Sequence, residues 1–238
     1  MQNNKDKFKK IVNSLNINSK VFAPNLTSKL SYEVSLSNIK NNYKVLDLGC
    51  GSGVLGIMIK KSFKNIEIFS SDIDVNAIKN TKKNFKKNKI EGDIRKSDLF
   101  DNWRNEKFDY IINDVSGISN KIATKSPWFK NIVPCDTGLD GTRLSSQIIK
   151  KSKKYLKKNG IIQIPLISLS NVDKTILMAK KYYKYVKIKK SIDWFLPVEL
   201  EYLKKEMLLL KKKNLISFKE KFGKIICNTS ILLCKGAK

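Results

Sequence analysis

Histidine is absent from this chain of 238 residues, and only three of its 48 basic residues are arginines. Without histidine, any proton transfer must fall to a carboxylate, a tyrosine or a lysine. Proteins that read bases and phosphates specifically usually rely on arginine forks, which this chain barely offers. The four cysteines include no C-x-x-C pair, so we expect free thiols and no metal site.

Long hydrophobic runs are also missing. Nowhere do 18 apolar residues follow one another, and the first ten residues lack the apolar segment of a signal peptide. We therefore expect a cytoplasmic protein that makes no membrane contact. The length suits one α/β domain with a short extension.

Positive charge is abundant, at a formal net charge of +27. A codon bias that favours lysine would explain it without any function. A polyanionic neighbour such as RNA or the ribosome would explain it equally well. Residues 174–224 hold 15 lysines against five acids and are the best local candidate for such a contact, although a charged run is more often a solvated face.

Residues 45–53 read Val-Leu-Asp-Leu-Gly-Cys-Gly-Ser-Gly, and the apolar stretch 54–59 follows. This pattern predicts a buried strand, a glycine-rich turn and a helix, the first unit of a nucleotide-binding α/β sheet. Glycines let the backbone pass close to a ligand, and the new helix points free N–H groups towards it. The spacing is D-x-G-x-G-x-G and does not fit the dinucleotide fingerprint.

This stretch resembles motif I of the class I S-adenosylmethionine (SAM) methyltransferases. The resemblance implies SAM as cofactor and S-adenosylhomocysteine as product. In this family the loop borders the methionine end of SAM, and the acid holds its amino group directly or through water. The residues that the resemblance assigns to the cofactor here are Asp47, Gly49, Cys50, Gly51 and Gly53.

Two further acids follow predicted strands. Asp72 ends the strand 66–72, about 20 residues beyond the glycine loop, where an acid reaches a ribose diol. This carboxylate can accept hydrogen bonds from both hydroxyls. Ile73, the next residue, is also expected at the cofactor. Ser-Asp-Leu-Phe at 97–100 is similar to the Gly-Asp-Leu-Phe of related enzymes, which implies that Asp98 meets the adenine amino group and Leu99 packs on the ring.

Three segments narrow the resemblance to the HemK-type branch, which methylates a glutamine of release factors. The segment around Pro24, the strand 108–113 and the stretch 134–142 resemble that branch, so the likeness spans residues 21–166. The strand 108–113 leads into a position where these enzymes carry Asn-Pro-Pro-Tyr. Of this motif, only Asn113 is present here. The resemblance implies that Asn113 positions the substrate amide beside the cofactor.

The residues after Asn113 are Asp114-Val115-Ser116, not Pro-Pro-Tyr. Asp114 is a candidate general base or amine-orienting group, and Ser116 a candidate hydrogen-bond partner for a hydroxyl or carboxylate. Both residues would equally well shape the turn. Aromatic candidates for the substrate wall lie in the same loop and at the end of a later strand: Trp128, Phe129, Trp194 and Phe195.

The whole pattern predicts a Rossmann-like, doubly wound α/β sheet of seven strands with an antiparallel last strand. We expect residues 1–30 to form a helical extension or lid and residues 31–238 the methyltransferase domain. Thr27 or Ser28 is the expected cap of the second helix, and Asp74 that of the helix 75–87. Further predicted elements are a helix at 143–158 that stops at Asn159-Gly160, a strand from Ile161, and a helix at 198–214.

The function that these observations favour is SAM-dependent methyl transfer to a protein side chain of the translation machinery. Two alternatives stay open. Asp114 and Ser116 suit a small molecule methylated on nitrogen or oxygen, and the charge suits RNA.

Overall fold

The computed structural model describes residues 2–129 and 135–238, with side chains from Lys7 onward. Its eight α-helices, within the described residues, are α1 (Gln2–Ser14), α2 (Leu26–Leu36), α3 (Val54–Ser62), α4 (Val75–Lys87), α5 (Asn120–Ala123), α6 (Arg143–Ser152), α7 (Val172–Tyr182) and α8 (Lys204–Lys212). Its strands are β1 (Lys44–Leu48), β2 (Glu67–Asp72), β3 (Asp93–Lys96), β4 (Phe108–Asn113), β5 (Leu156–Ile167), β6 (Tyr183–Phe195), β7 (Lys219–Lys221) and β8 (Lys224–Ala237). Short 3-10 helices cover Asp101–Trp103 and Val198–Leu203.

One sheet runs through the molecule in the order β3-β2-β1-β4-β5-β8-β6, and β7 pairs with β8. The last strand, β8, is antiparallel to both β5 and β6, as the sequence predicts. In register, Leu48 of β1 lies opposite Ser71 of β2 and Asn113 of β4. The carboxyl ends of these three parallel strands therefore meet at one edge, where ligands bind in sheets of this kind.

Apolar cores cover both faces of the sheet, which is the predicted doubly wound arrangement. One core joins α1, α2 and α3 to the sheet through residues such as Leu30 and Met58. The other joins α6 and α7 and contains Trp103. Phe8 and Leu15 at the amino terminus are buried in the first core. The division of the chain at residue 30 stays a prediction.

A third apolar cluster lies beyond the end of β4. It packs the segment around Ile122 and Phe129 against the insert between β6 and β8, represented by Leu200, Met207 and Phe218. Two stretches that are far apart in sequence thus share one small core, which stands next to the ligand-binding edge of the sheet.

Three sequence expectations about element ends are wrong. Asn25 caps α2, accepting from the amides of Thr27 and Ser28 at 2.8 and 3.3 Å, because its side chain reaches back over the first turn. The helix expected to reach residue 158 ends at Ser152, and β5 begins at Leu156 with a shift of register against β4. Gly160 therefore lies inside a strand, not at a helix end.

The helix expected over 198–214 is divided into the 3-10 helix Val198–Leu203 and α8. By contrast, Asp74 caps α4 as predicted, accepting from the amide of Asn76 at 2.9 Å. Every helix in the part of the chain that the structure describes is too short or too polar to cross a bilayer. Within residues 2–129 and 135–238, no group of three acidic or cysteine side chains is placed to hold a metal ion.

Candidate active site

A cavity of about 410 Å³ opens at the carboxyl edge of β1, β2 and β4, over the glycine loop. Its floor is the loop between β1 and α3, and its far wall is the segment that leads into α2. Most of the residues that the sequence singles out line it. These are Gly49, Cys50, Gly51, Asp72, Ile73, Asp98, Leu99, Asp114, Ser116, Trp128 and Phe129.

The glycine loop brings its backbone to the cavity in a conformation that other residues avoid. Gly49 has a φ of +80°, and a Cβ there would meet Cγ2 of Val115 at 2.8 Å. Gly51 has a φ of +52°, but a Cβ there would come no nearer than 3.8 Å to any neighbour. Gly49 is therefore needed for packing against the loop after β4, whereas Gly51 leaves open space on the cavity side.

Asp72 ties the end of β2 to this loop. Its Oδ2 accepts from the amide of Gly51 and its Oδ1 from the amide of Asp74, both at 3.0 Å. Burial raises the pKa of Asp72, and these two amides oppose the rise. Each carboxylate oxygen keeps a lone pair for a further donor, so the side chain can still receive a pair of hydroxyls.

Asp47 and Gly53 lie behind the cavity wall. Asp47 is fully buried; its Oδ2 accepts from the amide of Gly56 at 3.1 Å, and its Oδ1 has no partner among the described residues. Burial, together with the charge of Asp114, raises the pKa of Asp47 to about 8. A Cβ on Gly53 would meet Thr81 at 2.9 Å, so this glycine serves the contact between the loop and α4.

Leu99 turns the chain after β3 towards the cavity. It has a φ of +48°, and its carbonyl accepts from the hydroxyl of Ser97 at 3.0 Å. The turn buries the Leu99 side chain and leaves Asp98 exposed at the rim. The two residues reach the cavity side by side, an apolar surface next to a carboxylate.

The loop after β4 brings a carboxylate with a raised pKa to the lining of the cavity. Asp114 accepts a hydrogen bond of 2.8 Å from the hydroxyl of Ser28 in α2, and burial raises its pKa to about 7. Asn113 is buried and turns its Oδ1 to the amide of Val115 at 3.1 Å, so it shapes the turn and does not line the cavity. The buried hydroxyl of Ser116 has no partner within the described residues.

A second cavity, of about 620 Å³, adjoins the first across the segment 21–25. Trp128 lines both cavities, and Trp194 lines the second, where its Nε1 donates to Thr229 at 2.9 Å. The two indole rings lie 6.2 Å apart, so they form one aromatic wall. Phe195, the fourth aromatic candidate, is 61% exposed and lines neither cavity.

Some lining residues were not predicted from the sequence to be site residues. Ser28 was expected only as a helix cap; because Asn25 takes that role, the Ser28 hydroxyl is free to bond Asp114. Arg143 and Gln147 from α6 and Pro165 from β5 complete the wall. The only sequence signal for Arg143 and Gln147 was the likeness around 134–142, of which Pro134 lies outside the described residues.

The cavity has the opposite charge to the protein as a whole. Five carboxylates line it, whereas among the described lining residues Arg143 is the one basic side chain. The carboxylates are Asp72, Asp74, Asp98, Asp114 and Asp136. Arg143 in turn forms an ion pair with Asp136. A chain of net charge +27 thus presents an acidic interior suited to a cationic ligand.

Comparison with known proteins agrees with this architecture. Residues 14–115 match the family model described as the methyltransferase small domain. The methyltransferase from Pyrococcus furiosus has a similar fold, with a TM-score of 0.59 at 15% identity over 99% of this chain and 98% of that one. The chain therefore has the Rossmann-like fold of the solved methyltransferases, and its residues 14–115 carry the sequence likeness to the methyltransferase small domain.

Among curated proteins, the chain is similar to two bacterial relatives. It is 32% identical over 132 residues to the ribosomal protein uL3 glutamine methyltransferase of Francisella tularensis. It is 33% identical over 134 residues to the ribosomal RNA small subunit methyltransferase C of Haemophilus influenzae. The matches cover 53% and 56% of this chain but only 42% and 35% of those relatives.

Proposed function

We propose that this protein transfers a methyl group from SAM to a protein side chain of the translation machinery. The observation that carries the proposal is the position of two carboxylates at one sheet edge. Asp72 ends β2 and Asp114 follows β4, on either side of the glycine loop that follows β1. One side of this cavity suits a nucleoside, and the other suits a group that must lose a proton.

The residues present fit SAM. The open space beside Gly51 leaves room for its methionine end, and Oδ1 of Asp47, behind the cavity wall, is a buried acceptor without a partner among the described residues. We assign the ribose to Asp72, and the adenine to Asp98 and Leu99. When bound, SAM supplies a methyl group on a positively charged sulfonium, which the acidic lining favours.

On the acceptor side, we propose that Asp114 receives the proton. A carboxylate with a pKa of about 7 is half ionised near neutral pH, so it can take up a proton and release it again to solvent. Ser28 fixes one of its oxygens, and the hydroxyl of Ser116, two residues further on, has no partner among the residues that the structure describes. The aromatic wall of Trp128 and Trp194 would hold the rest of the acceptor in the second cavity.

The choice of a protein acceptor rests on the HemK-like loops and on the relative whose name is that of a uL3 glutamine methyltransferase. Such an acceptor would place the reaction on the ribosome, in the cytoplasm. RNA is the second candidate, since another relative is named as a ribosomal RNA methyltransferase. Asp114 and Ser116 would also suit the amine or hydroxyl of a small molecule.

The test uses SAM labelled in its methyl group, the purified protein, and an extract of source cells that lack the gene. Label is counted in protein, RNA and small-molecule fractions. We expect one labelled ribosomal protein band, lost in Asp72→Ala and kept in Asp101→Ala, a matched loss of a carboxylate outside the cavity. Label only in RNA, or only in small molecules, would replace the proposed acceptor, and no transfer to any fraction would refute the activity.

A further inference from the structure

The end of β6 and the insert that follows it expose apolar side chains that the fold does not need at its surface. Apart from Leu208 and Leu209 of α8, they are Phe195 (61% exposed), Val198 (78%), Tyr202 (64%) and Phe222 (91%). Single exposed apolar residues are ordinary, but several large ones in one short stretch of the fold are not. We call this group, with Lys204, Lys221 and Lys224, the hairpin surface.

Phe222 stands at the tip of the β7–β8 hairpin in a costly backbone conformation. Its φ is +51° and that of Gly223 is +72°, so both residues of the two-residue turn are left-handed. Turns of this kind favour Asn, Asp or Gly, because a bulky side chain is strained in the left-handed conformation. Because the ring is exposed, its packing does not compensate for this strain. The residue is therefore better explained by a role outside the fold.

Lysines accompany the rings and join the surface into one patch. Nζ of Lys221 lies 5.2 Å from the ring centre of Phe222, and Nζ of Lys224 lies 5.9 Å from that of Phe195. Lys204 reaches the hairpin from α8, with its Nζ 3.4 Å from the carbonyl oxygen of Gly223. The hairpin tip, the end of β6 and the start of α8 therefore present one aromatic and basic surface.

This patch adjoins the second cavity. Trp194 and Pro197 line that cavity, and Phe195 and Val198, the residues directly after them, are exposed on the hairpin surface. A chain bound to the hairpin surface would consequently pass the mouth of the cavity that we assign to the acceptor.

We propose that the hairpin surface binds single-stranded RNA. Bases stack on the free faces of Phe222 and Phe195, and Lys221 and Lys224 pair with the phosphates, while Lys204 lies 3.8 Å from Glu220 of β7. Lysine ammonium groups are point charges without the fork geometry that reads base edges, so the contact tolerates many sequences. The binding does not depend on the acceptor: it would anchor the protein on ribosomal RNA beside a protein acceptor as well as on an RNA substrate.

Charge complementarity favours RNA over other partners. Residues 198–224 carry eight lysines against four acids, and the rings on the hairpin surface alternate with ammonium groups. An anionic membrane would favour a continuous apolar face flanked by lysines. An acidic protein segment would need no aromatic ring in a strained turn.

The test measures the binding of a fluorescein-labelled oligouridine of about 15 nucleotides to the full chain at about 50 and 200 mM salt, without SAM. Phe222→Asn is the informative variant, since Asn suits the left-handed turn and preserves the hairpin. We expect it to weaken binding by about 5- to 100-fold, the loss typical of one stacked base. The Kd for SAM should not change.

Lys221→Gln should weaken binding and flatten its salt dependence, whereas Lys83→Gln, an equal loss of charge on exposed α4, should do so less. Equal affinity of the wild type and Phe222→Asn would overturn the proposal. So would Phe222-dependent binding of phosphatidylserine-containing vesicles, or of an acidic peptide, in the absence of RNA binding. None of these results would affect a transfer activity measured separately, so the two proposals fail independently.

Discussion

Ser28 in α2 donates a hydrogen bond of 2.8 Å to Oδ2 of Asp114, across 86 residues of sequence. The bond stabilises the ionised carboxylate and so opposes the effect of burial on the pKa of Asp114. It also joins the amino-terminal wall of the cavity to the loop after β4. The protonation state of Asp114 and the position of α2 are therefore linked.

Removal of this bond should shift the pH dependence of methyl transfer. In Ser28→Ala the pKa of Asp114 rises further, so less of the carboxylate is ionised at pH 7. We expect the rate at pH 7 to fall about 3- to 10-fold and to recover as the pH is raised. The measurement is a pH–rate profile of both proteins, with Ser37→Ala, an exposed serine at the end of α2, as control. A loss that is equal at all pH values would contradict a role through Asp114.

Replacement of Asp114 should stabilise the protein at high pH. The native pKa of about 7 lies above the ordinary 3.8, so the folded chain holds this proton more tightly than the unfolded chain. Stability that is present below about pH 4 is therefore lost as the pH rises to 7 and above. Asp114→Asn has no proton to lose and can still accept from Ser28.

We expect Asp114→Asn to raise the free energy of unfolding by about 1 to 2 kcal/mol at pH 8 and to leave it nearly unchanged at pH 4. This free energy is smaller than the full pKa shift of Asp114 would give, because solvent reaches part of the carboxylate. Denaturant unfolding at pH 4, 6 and 8 measures the difference. A variant less stable than the wild type at pH 8 would refute the raised pKa.

Loss of the Asp72 carboxylate should weaken SAM binding. We expect Asp72→Ala to lower the affinity by about 10- to 100-fold, the value of a charge-assisted hydrogen bond. Calorimetry of SAM binding measures this, with Asp93→Ala on the neighbouring strand as the matched control. Near-normal affinity in Asp72→Ala would rule out the assigned ribose contact.

The two glycines of the loop should respond differently to alanine. In Gly51→Ala the new methyl group meets no atom closer than 3.8 Å. Backbone strain should therefore lower the free energy of unfolding by only about 1 to 2 kcal/mol, while SAM binding falls at least tenfold. In Gly49→Ala the clash with Val115 at 2.8 Å should lower the melting temperature clearly more. Thermal unfolding and SAM titration distinguish the two. Normal SAM binding by Gly51→Ala would show that the ligand does not approach this backbone.

Trp194 should affect the acceptor and not the cofactor. Trp194 lines the second cavity and not the first. Trp194→Ala is therefore expected to raise the KM for the acceptor about tenfold and to leave the Kd for SAM unchanged. Trp194→Phe retains most of the apolar wall but loses the bond to Thr229, and should lie in between. An unchanged KM in Trp194→Ala would exclude the second cavity as the acceptor site.

The glycine loop after β1, Asp72 at the end of β2 and Asp98 just after β3 could be predicted because each depends on residues adjacent in sequence. The antiparallel last strand followed from the family resemblance, since its pairing with β5 is a long-range contact. Contacts across long separations could not. The bond from Ser28 to Asp114 exists because Asn25, not Ser28, caps α2, and nothing local decides between these two polar residues. Gly160 resembled a helix end, yet the shift of register between β4 and β5 places it in a strand.

The same limit applies to the aromatic candidates. Trp194 and Phe195 are adjacent, and alternation along β6 sends one into the second cavity and the other to the surface. The sequence shows that they alternate but does not say which faces inward. Asn113 likewise ends its strand as expected, while its side chain is used by the turn that follows.

The acidic lining of the first cavity implies opposite responses of the two proposed ligands to ionic strength. RNA at the hairpin surface is attracted by the net charge of +27, so added salt weakens its binding. SAM, which carries a net positive charge, is repelled by the same distant field and attracted only by the carboxylates inside. Screening removes the long-range repulsion before the short-range attraction. The net positive charge of the surface therefore attracts RNA at low salt and at the same time slows the entry of SAM. The balance between RNA binding and SAM entry sets the ionic strength at which turnover is greatest.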